Sequence, residues 1–195
     1  MAASSGLDSL DVTAVVEALL FCADGPVSLK RLCELIPEAG RKEILEAIET
    51  LRFRNSSRDR GVELVEVAGG YRLQTKPDMA LWIQRAGRKA PERLSRAAME
   101  TLAAIAYHQP VTRAEVERLR GVDSSGTIRG LLDRKLIRIA GRKDVPGRPL
   151  LYATTRRFLE LFQLEDLDAL PTIRELKEFS KASEEQQLPL FSRPA

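Results

Sequence analysis

The side chains able to carry acid–base, nucleophilic or metal chemistry are few. The 195-residue chain holds a single histidine, His108, and two cysteines, Cys22 and Cys33. Catalysis by proton transfer or nucleophilic attack needs convergent titratable groups. His108 instead stands at the end of a predicted helix beside Gln109-Pro110, where the helix dipole favours a cationic imidazole, so it reads as a capping residue. Cys22 and Cys33 lie within strings of aliphatic residues without a neighbouring histidine or third cysteine, and zinc wants four ligands. They read as buried thiols of a reducing compartment. Carboxylate pairs such as Glu115 and Glu117, or Glu184 and Glu185, fall on polar helix faces or in the tail, where solvation is their role. No GxxxxGK[ST] phosphate loop and no GxGxxG string occurs, and Gly69-Gly70 belongs to a hairpin turn. Trp82, Phe158 and Phe162 occupy apolar helical positions and read as core. The sequence thus predicts no enzyme, no cofactor and no metal.

The elements that must position these residues follow from hydropathy. At 44% hydrophobic and 30% charged residues, with net charge +3, the composition is that of a globular protein of one or two domains without a strongly cationic tail. Met1 to Leu10 lacks a cationic stretch followed by an apolar one, and no uncharged apolar run approaches the roughly 20 residues that span a bilayer. A cytoplasmic location, without membrane partners, is expected.

Val12, Val15, Val16, Leu19 and Leu20 recur at helical spacing up to the breaker Asp24-Gly25-Pro26. Ser28 can cap a second helix bearing Leu29, Leu32, Cys33 and Ile36. A third, from about Arg41 to Arg54, turns Ile44, Leu45, Ile48 and Leu51 inward. The period then changes. Val62 to Val67 and Tyr71 to Thr75 read as a hairpin about Gly69-Gly70, and Pro77-Asp78 opens a short helix with Met79, Trp82 and Ile83 closing over the sheet.

Residues 87–94 read as a linker, after which the same programme repeats. Ser95 caps a helix with Ala98, Leu102, Ile105 and Ala106 inward. Thr112 and Glu115 form a capping box for the next, with Val116 and Leu119, and Asp123 or Ser124 caps a third with Ile128, Leu131 and Leu132. The strand from Leu136 to Ile139, a loop through the type II turn pair Pro146-Gly147, the strand from Leu150 to Thr154 and a closing helix capped by Thr155 complete it. Pro26-Val27-Ser28 in the first half matches Pro110-Val111-Thr112 in the second, with Leu32 matching Val116, as in a duplicated module. The expected fold is mainly α with small β-hairpins: two tandem winged-helix domains, 11–86 and 95–170, between a flexible start, 1–10, and a mobile tail, 171–195.

Charge is least even from Arg120 to Arg148. Arg120, Arg129, Arg134, Lys135, Arg138, Arg142, Lys143 and Arg148 face only Asp123, Asp133 and Asp144. Arg129, Arg134 and Arg138 make a candidate basic stripe on the third helix and wing, the elements that touch DNA in winged helices, although an ordinary solvated surface accounts for it equally. The polar set for base readout, Ser124, Ser125, Thr127 and Arg129, is thin, so weak non-specific contact is the expectation. A transcription regulator is the alternative reading, and sequence-specific DNA affinity would distinguish it.

Several strings together resemble the successive blocks of the segregation and condensation protein B (ScpB) family: Glu17-Ala18-Leu19-Leu20-Phe21, Val62 to Leu73, Leu94 to Ala98, Ile105-Ala106-Tyr107, Gln109 to Val116, and Gly141 to Tyr152. The likeness runs in order from about Asp11 to Leu170, departing at His108, where a basic residue is more usual, and in the tail. It implies a non-catalytic scaffold, cytoplasmic and associated with the nucleoid, that homodimerises largely through its first domain. It further implies binding to the central part of the kleisin ScpA, which bridges the head domains of the SMC ATPase in chromosome condensation and segregation at cell division. Within the last block, Arg142, Lys143, Pro146, Arg148, Pro149 and Tyr152 are the candidate partner-binding wing. The prolines stiffen it, the arginines can grip carboxylates and the tyrosine can anchor. In the tail, Gln187-Leu188-Pro189-Leu190-Phe191 resembles the QLxLF-type peptide that docks on the replicative sliding clamp, with Gln187, Leu188, Leu190 and Phe191 as candidate contacts; a tail that folds back onto its own domain is the competing reading.

Overall fold

Short polar residues decide where most helices of the computed structural model begin; it describes residues 11–87 and 94–172. Asp11 accepts the Thr13 N–H at 2.9 Å to open α1 (Val12–Cys22), and Ser28 accepts the Arg31 N–H at 3.2 Å to open α2 (Leu29–Leu35). At α3 (Arg41–Ser56), Gly40 has no side chain to offer, and the Glu43 carboxylate accepts its N–H at 2.8 Å instead. Two antiparallel strands follow, β1 (Val62–Val67) and β2 (Gly70–Thr75), then a 3₁₀ turn (Pro77–Met79) and α4 (Ala80–Arg85).

The second unit runs α5 (Arg96–His108), β3 (Val111–Thr112), α6 (Arg113–Arg120), α7 (Ser125–Asp133), β4 (Ile137–Arg142), β5 (Leu150–Thr154) and α8 (Arg156–Phe162). Its sheet has the order β3-β5-β4, antiparallel throughout, with a bulge between Ile139 and Gly141. Helices followed by a hairpin wing, twice, make tandem winged helices. Ser95 and Thr155 cap α5 and α8, and Gly121, at φ 71°, ends α6 in the left-handed region.

The duplication is visible in one pairing. Val111 pairs with Tyr152 at the start of the second sheet, and Val27 forms an isolated bridge with Tyr71 in the first, its N–H and C=O each bonded to Tyr71 at 2.9 Å. Both tyrosines are buried. The matching Pro-Val-Ser and Pro-Val-Thr strings therefore mark equivalent positions in the two units.

Each unit has its own core. Val16, Leu20, Leu32, Ile44, Ile48 and Leu51 close the first against Leu64 and Tyr71. Leu102, Ile105, Val116, Ile128, Leu131 and Ile137 close the second against Tyr152 and Phe158. The apolar faces expected from helical spacing are buried or half-buried, apart from Leu119 on α6 and Trp82 on α4, which are exposed. The units also touch. Ala68 and Gly69 donate their N–H groups to the Leu164 and Glu165 carbonyls at 2.8 and 2.9 Å, and the Arg156 guanidinium donates to the Pro26 carbonyl at 2.6 Å.

Four expectations are corrected. The first hairpin turns on Ala68-Gly69, at φ 52° and 66°, rather than on Gly69-Gly70. The register pairs Val67 with Gly70, which leaves a two-residue loop that needs φ > 0 at both positions. Gly70 is required for another reason: a Cβ there would lie 2.8 Å from the Val27 carbonyl carbon. Trp82 is not core. It is 61% exposed with the Arg85 guanidinium 4.9 Å from its ring centroid, on a helix of which no residue is buried. Cys22 is exposed and Cys33 only half-buried, since Cys22 falls off the inward stripe of α1.

Candidate functional site

The wing between β4 and β5 is built from its turn outwards. Gly147, at φ 84°, supplies the third position of a type II turn, closed by the Arg148 N–H donating to the Val145 carbonyl at 2.9 Å. Pro146 precedes it and holds the turn's other dihedral. Across the loop, the Lys143 N–H donates to the Pro149 carbonyl at 2.9 Å and the Arg142 guanidinium to the Arg148 carbonyl at 3.1 Å. The wing is thus stiffened by backbone pairing and by one arginine bonded along its length.

Of the candidate wing residues, Arg142, Pro146 and Arg148 are exposed and Pro149 is half-buried. Two behave differently from expectation. The Lys143 ammonium donates to the Glu115 carboxylate at the N-terminus of α6, so its charge is spent within the unit. Tyr152 is 8% exposed and part of the core, because β5 is the central strand and its alternate side chains turn inward.

The three arginines of the candidate basic stripe are all exposed. Arg129 is exposed on α7 and Arg138 on β4, while Arg134, just past α7, donates to the Gly130 carbonyl at 3.3 Å. Arg120 is withdrawn from the surface. Its guanidinium donates to the Thr101 hydroxyl at 2.8 Å and the Ser124 hydroxyl at 3.2 Å, and pairs with Glu100 at 3.1 Å. It staples α5, α6 and the start of α7 together.

The perturbed carboxylates all have structural causes. Lys143, then the Thr112 N–H and hydroxyl, hold the Glu115 carboxyl down to about 2. Arg96 and then Arg120 lower Glu100, and Ser125 lowers Asp123, whose carboxylate accepts the Ser125 hydroxyl at 2.6 Å and its N–H at 3.3 Å. Asp123, rather than Ser124, therefore supplies the cap of α7. His108 is exposed in the last turn of α5. Among the described residues, no three His, Cys, Asp or Glu side chains are grouped to hold a metal, and no helix is long and apolar enough to cross a membrane. The tail motif Gln187, Leu188, Leu190 and Phe191 lies outside the described residues, as do 88–93 of the linker.

Two surface features escaped the sequence reading. Phe21 on α1 and Phe53 on α3 are each 80% exposed, on helices that pack against one another. The signal was present: each sits off its helix's inward stripe, Phe21 one residue past Leu20 and Phe53 two past Leu51. The second feature is an apolar groove of about 320 Å³ between α5 and α8, which had no local signal.

Comparison with known proteins places this arrangement. The model of "Segregation and condensation complex subunit ScpB" matches residues 14–173. The segregation and condensation protein B of Syntrophotalea carbinolica is 50% identical over 178 residues, covering 91% of this chain and 90% of that protein. Among solved structures, ScpB from Mycobacterium tuberculosis is 33% identical over 81% of this chain and 98% of its own, with a TM-score of 0.38. A dimer of an ScpB N-terminal domain complexed with an ScpA peptide is 32% identical over 41% of this chain and 92% of its own, with a TM-score of 0.37. With its family match spanning both winged helices, the chain belongs to the ScpB family of segregation and condensation complex subunits.

Proposed function

We propose that the chain is a non-catalytic, homodimeric scaffold of a bacterial SMC–kleisin complex, cytoplasmic and held at the nucleoid, that binds the kleisin ScpA and through it the SMC head domains. The observation that carries this reading is the family match over residues 14–173, which spans both units. A non-catalytic role is supported by the use of the perturbed carboxylates: Glu115, Glu100 and Asp123 are each engaged in a helix cap or an ion pair. In this reading residues 11–86 form the dimerising domain, 87–94 the linker and 95–170 the partner-binding domain.

On the second unit, the wing residues left exposed and stiff are Arg142, Pro146 and Arg148, with Pro149 at their base. Arginine forks can take an acidic kleisin segment bidentately. On the first unit, Phe21 and Phe53 present aromatic surface of the kind that anchors interfaces. Exposed Arg129 and Arg138 also support weak, salt-sensitive DNA contact. Co-expression with ScpA tests the assignment: a stoichiometric complex should co-purify and persist at moderate salt, and failure to co-purify would remove the scaffold reading.

A further inference from the structure

We propose that the apolar groove between α5 and α8 seats the chain's own C-terminal continuation, with Ile173, Leu176 and Phe179 as the side chains that fill it. The groove is lined by Met99, Ala103 and Tyr107 on one side and Phe158, Phe162 and Leu170 on the other, and is almost wholly apolar. Phe158 and Phe162, with ring centroids 4.9 Å apart and planes at 45°, make one wall. Met99, 42% exposed, marks the open end.

The occupant is chosen by where the described chain stops. After α8 the chain turns back so that Leu164 and Leu170 already line the groove, and the Tyr107 hydroxyl donates to the Pro171 carbonyl. The path therefore leaves from the groove's own lip at Thr172, and the next residue is Ile173. Ile173, Leu176 and Phe179 recur every third residue, which on a helix makes one apolar stripe, with Arg174, Lys177 and Glu178 away from it. A segment tethered at the lip competes for the groove at a high effective concentration, which neither a second copy nor a free partner helix has.

The test uses the full chain carrying Cys22→Ser and Cys33→Ala, to clear native thiols, with Met99→Cys paired with either Leu176→Cys or Glu178→Cys. Mild oxidation should give a fast-migrating, monomer-sized cross-link with Leu176→Cys and several-fold less with Glu178→Cys. Both double variants share the same change in the folded unit, so a folding defect cannot mimic that difference. Equal cross-linking of the two, or none, overturns the proposal. A cross-linked dimer overturns it in favour of a second copy. Independently, the Met99→Cys thiol in the same background should react with a maleimide several-fold faster when the chain is truncated after Thr172, and an unchanged rate overturns the proposal as well.

Discussion

Lys143, where the loop of the second wing leaves β4, donates to the carboxylate of Glu115, which lies 28 residues earlier in the chain at the first turn of α6. The same carboxylate accepts the Thr112 N–H and hydroxyl, each at 2.8 Å. One acidic side chain therefore closes a helix cap and ties the wing to the helical body. The wing's exposed arginines, Arg142 and Arg148, therefore flank a loop that is fastened to α6 where it leaves β4.

This relationship makes stability depend on acid. The Glu115 carboxyl is held at about 2 when folded against an ordinary 4.5, with Lys143 as the first cause. A lowered carboxylate value stabilises the fold above its unfolded value, and that contribution is lost as pH falls from 4.5 towards 2. Glu115→Gln should lower the urea midpoint at neutral pH, and the gap from the parent protein should close on acidification through this window. A gap that stays constant with pH would refute the assignment.

Gly70 is bound by space, and Ala68 by its dihedral. Gly70→Ala would place a Cβ 2.8 Å from the Val27 carbonyl carbon and 2.9 Å from its oxygen, forcing apart the bridge to Tyr71. A loss of about 1–3 kcal/mol is expected on denaturant unfolding. Ala68→Gly should instead stabilise by about 1 kcal/mol, because φ 52° is strained for alanine.

The separate cores predict separable damage. Ile44→Ala and Ile105→Ala each delete a fully buried side chain, one per core, and should cost about 2–5 kcal/mol. Hydrogen exchange should show the loss of protection concentrated in the unit that carries the change, with the other retaining most of its own.

Phe21 and Phe53 should matter to association and little to folding. Replacing both with serine is expected to leave thermal stability close to the parent's, since each is 80% exposed. The dimer should weaken by about tenfold or more in sedimentation, the equivalent of about 1.4 kcal/mol. Unchanged self-association would place the dimer interface elsewhere.

Read from the sequence alone, the chain already yields its order of helices and hairpins, though not the short strand β3, together with both winged helices, the duplicated Pro-Val strings and most caps: Ser28, Ser95, Thr155, and Thr112 with Glu115. These are local quantities. A cap reaches three residues and an amphipathic stripe repeats every three or four, so neighbours in the chain carry the whole signal. The family likeness was legible for a related reason, since it lies in contiguous strings.

What the tertiary structure alone decided concerns partners distant in sequence. Tyr152, read as an anchor on the wing, is core because β5 is the middle strand of its sheet. Arg120 and Lys143, read as surface cations, are consumed by Glu100 and Glu115. Trp82, read as core, stays outside beside Arg85 on a helix with no buried residue, and the groove between α5 and α8 exists only once helices some fifty residues apart are packed. Period and capping tell which way a side chain faces on its own element. Whether that face meets water, an opposite charge or another helix is set by elements elsewhere in the chain, and only the folded arrangement brings them into contact.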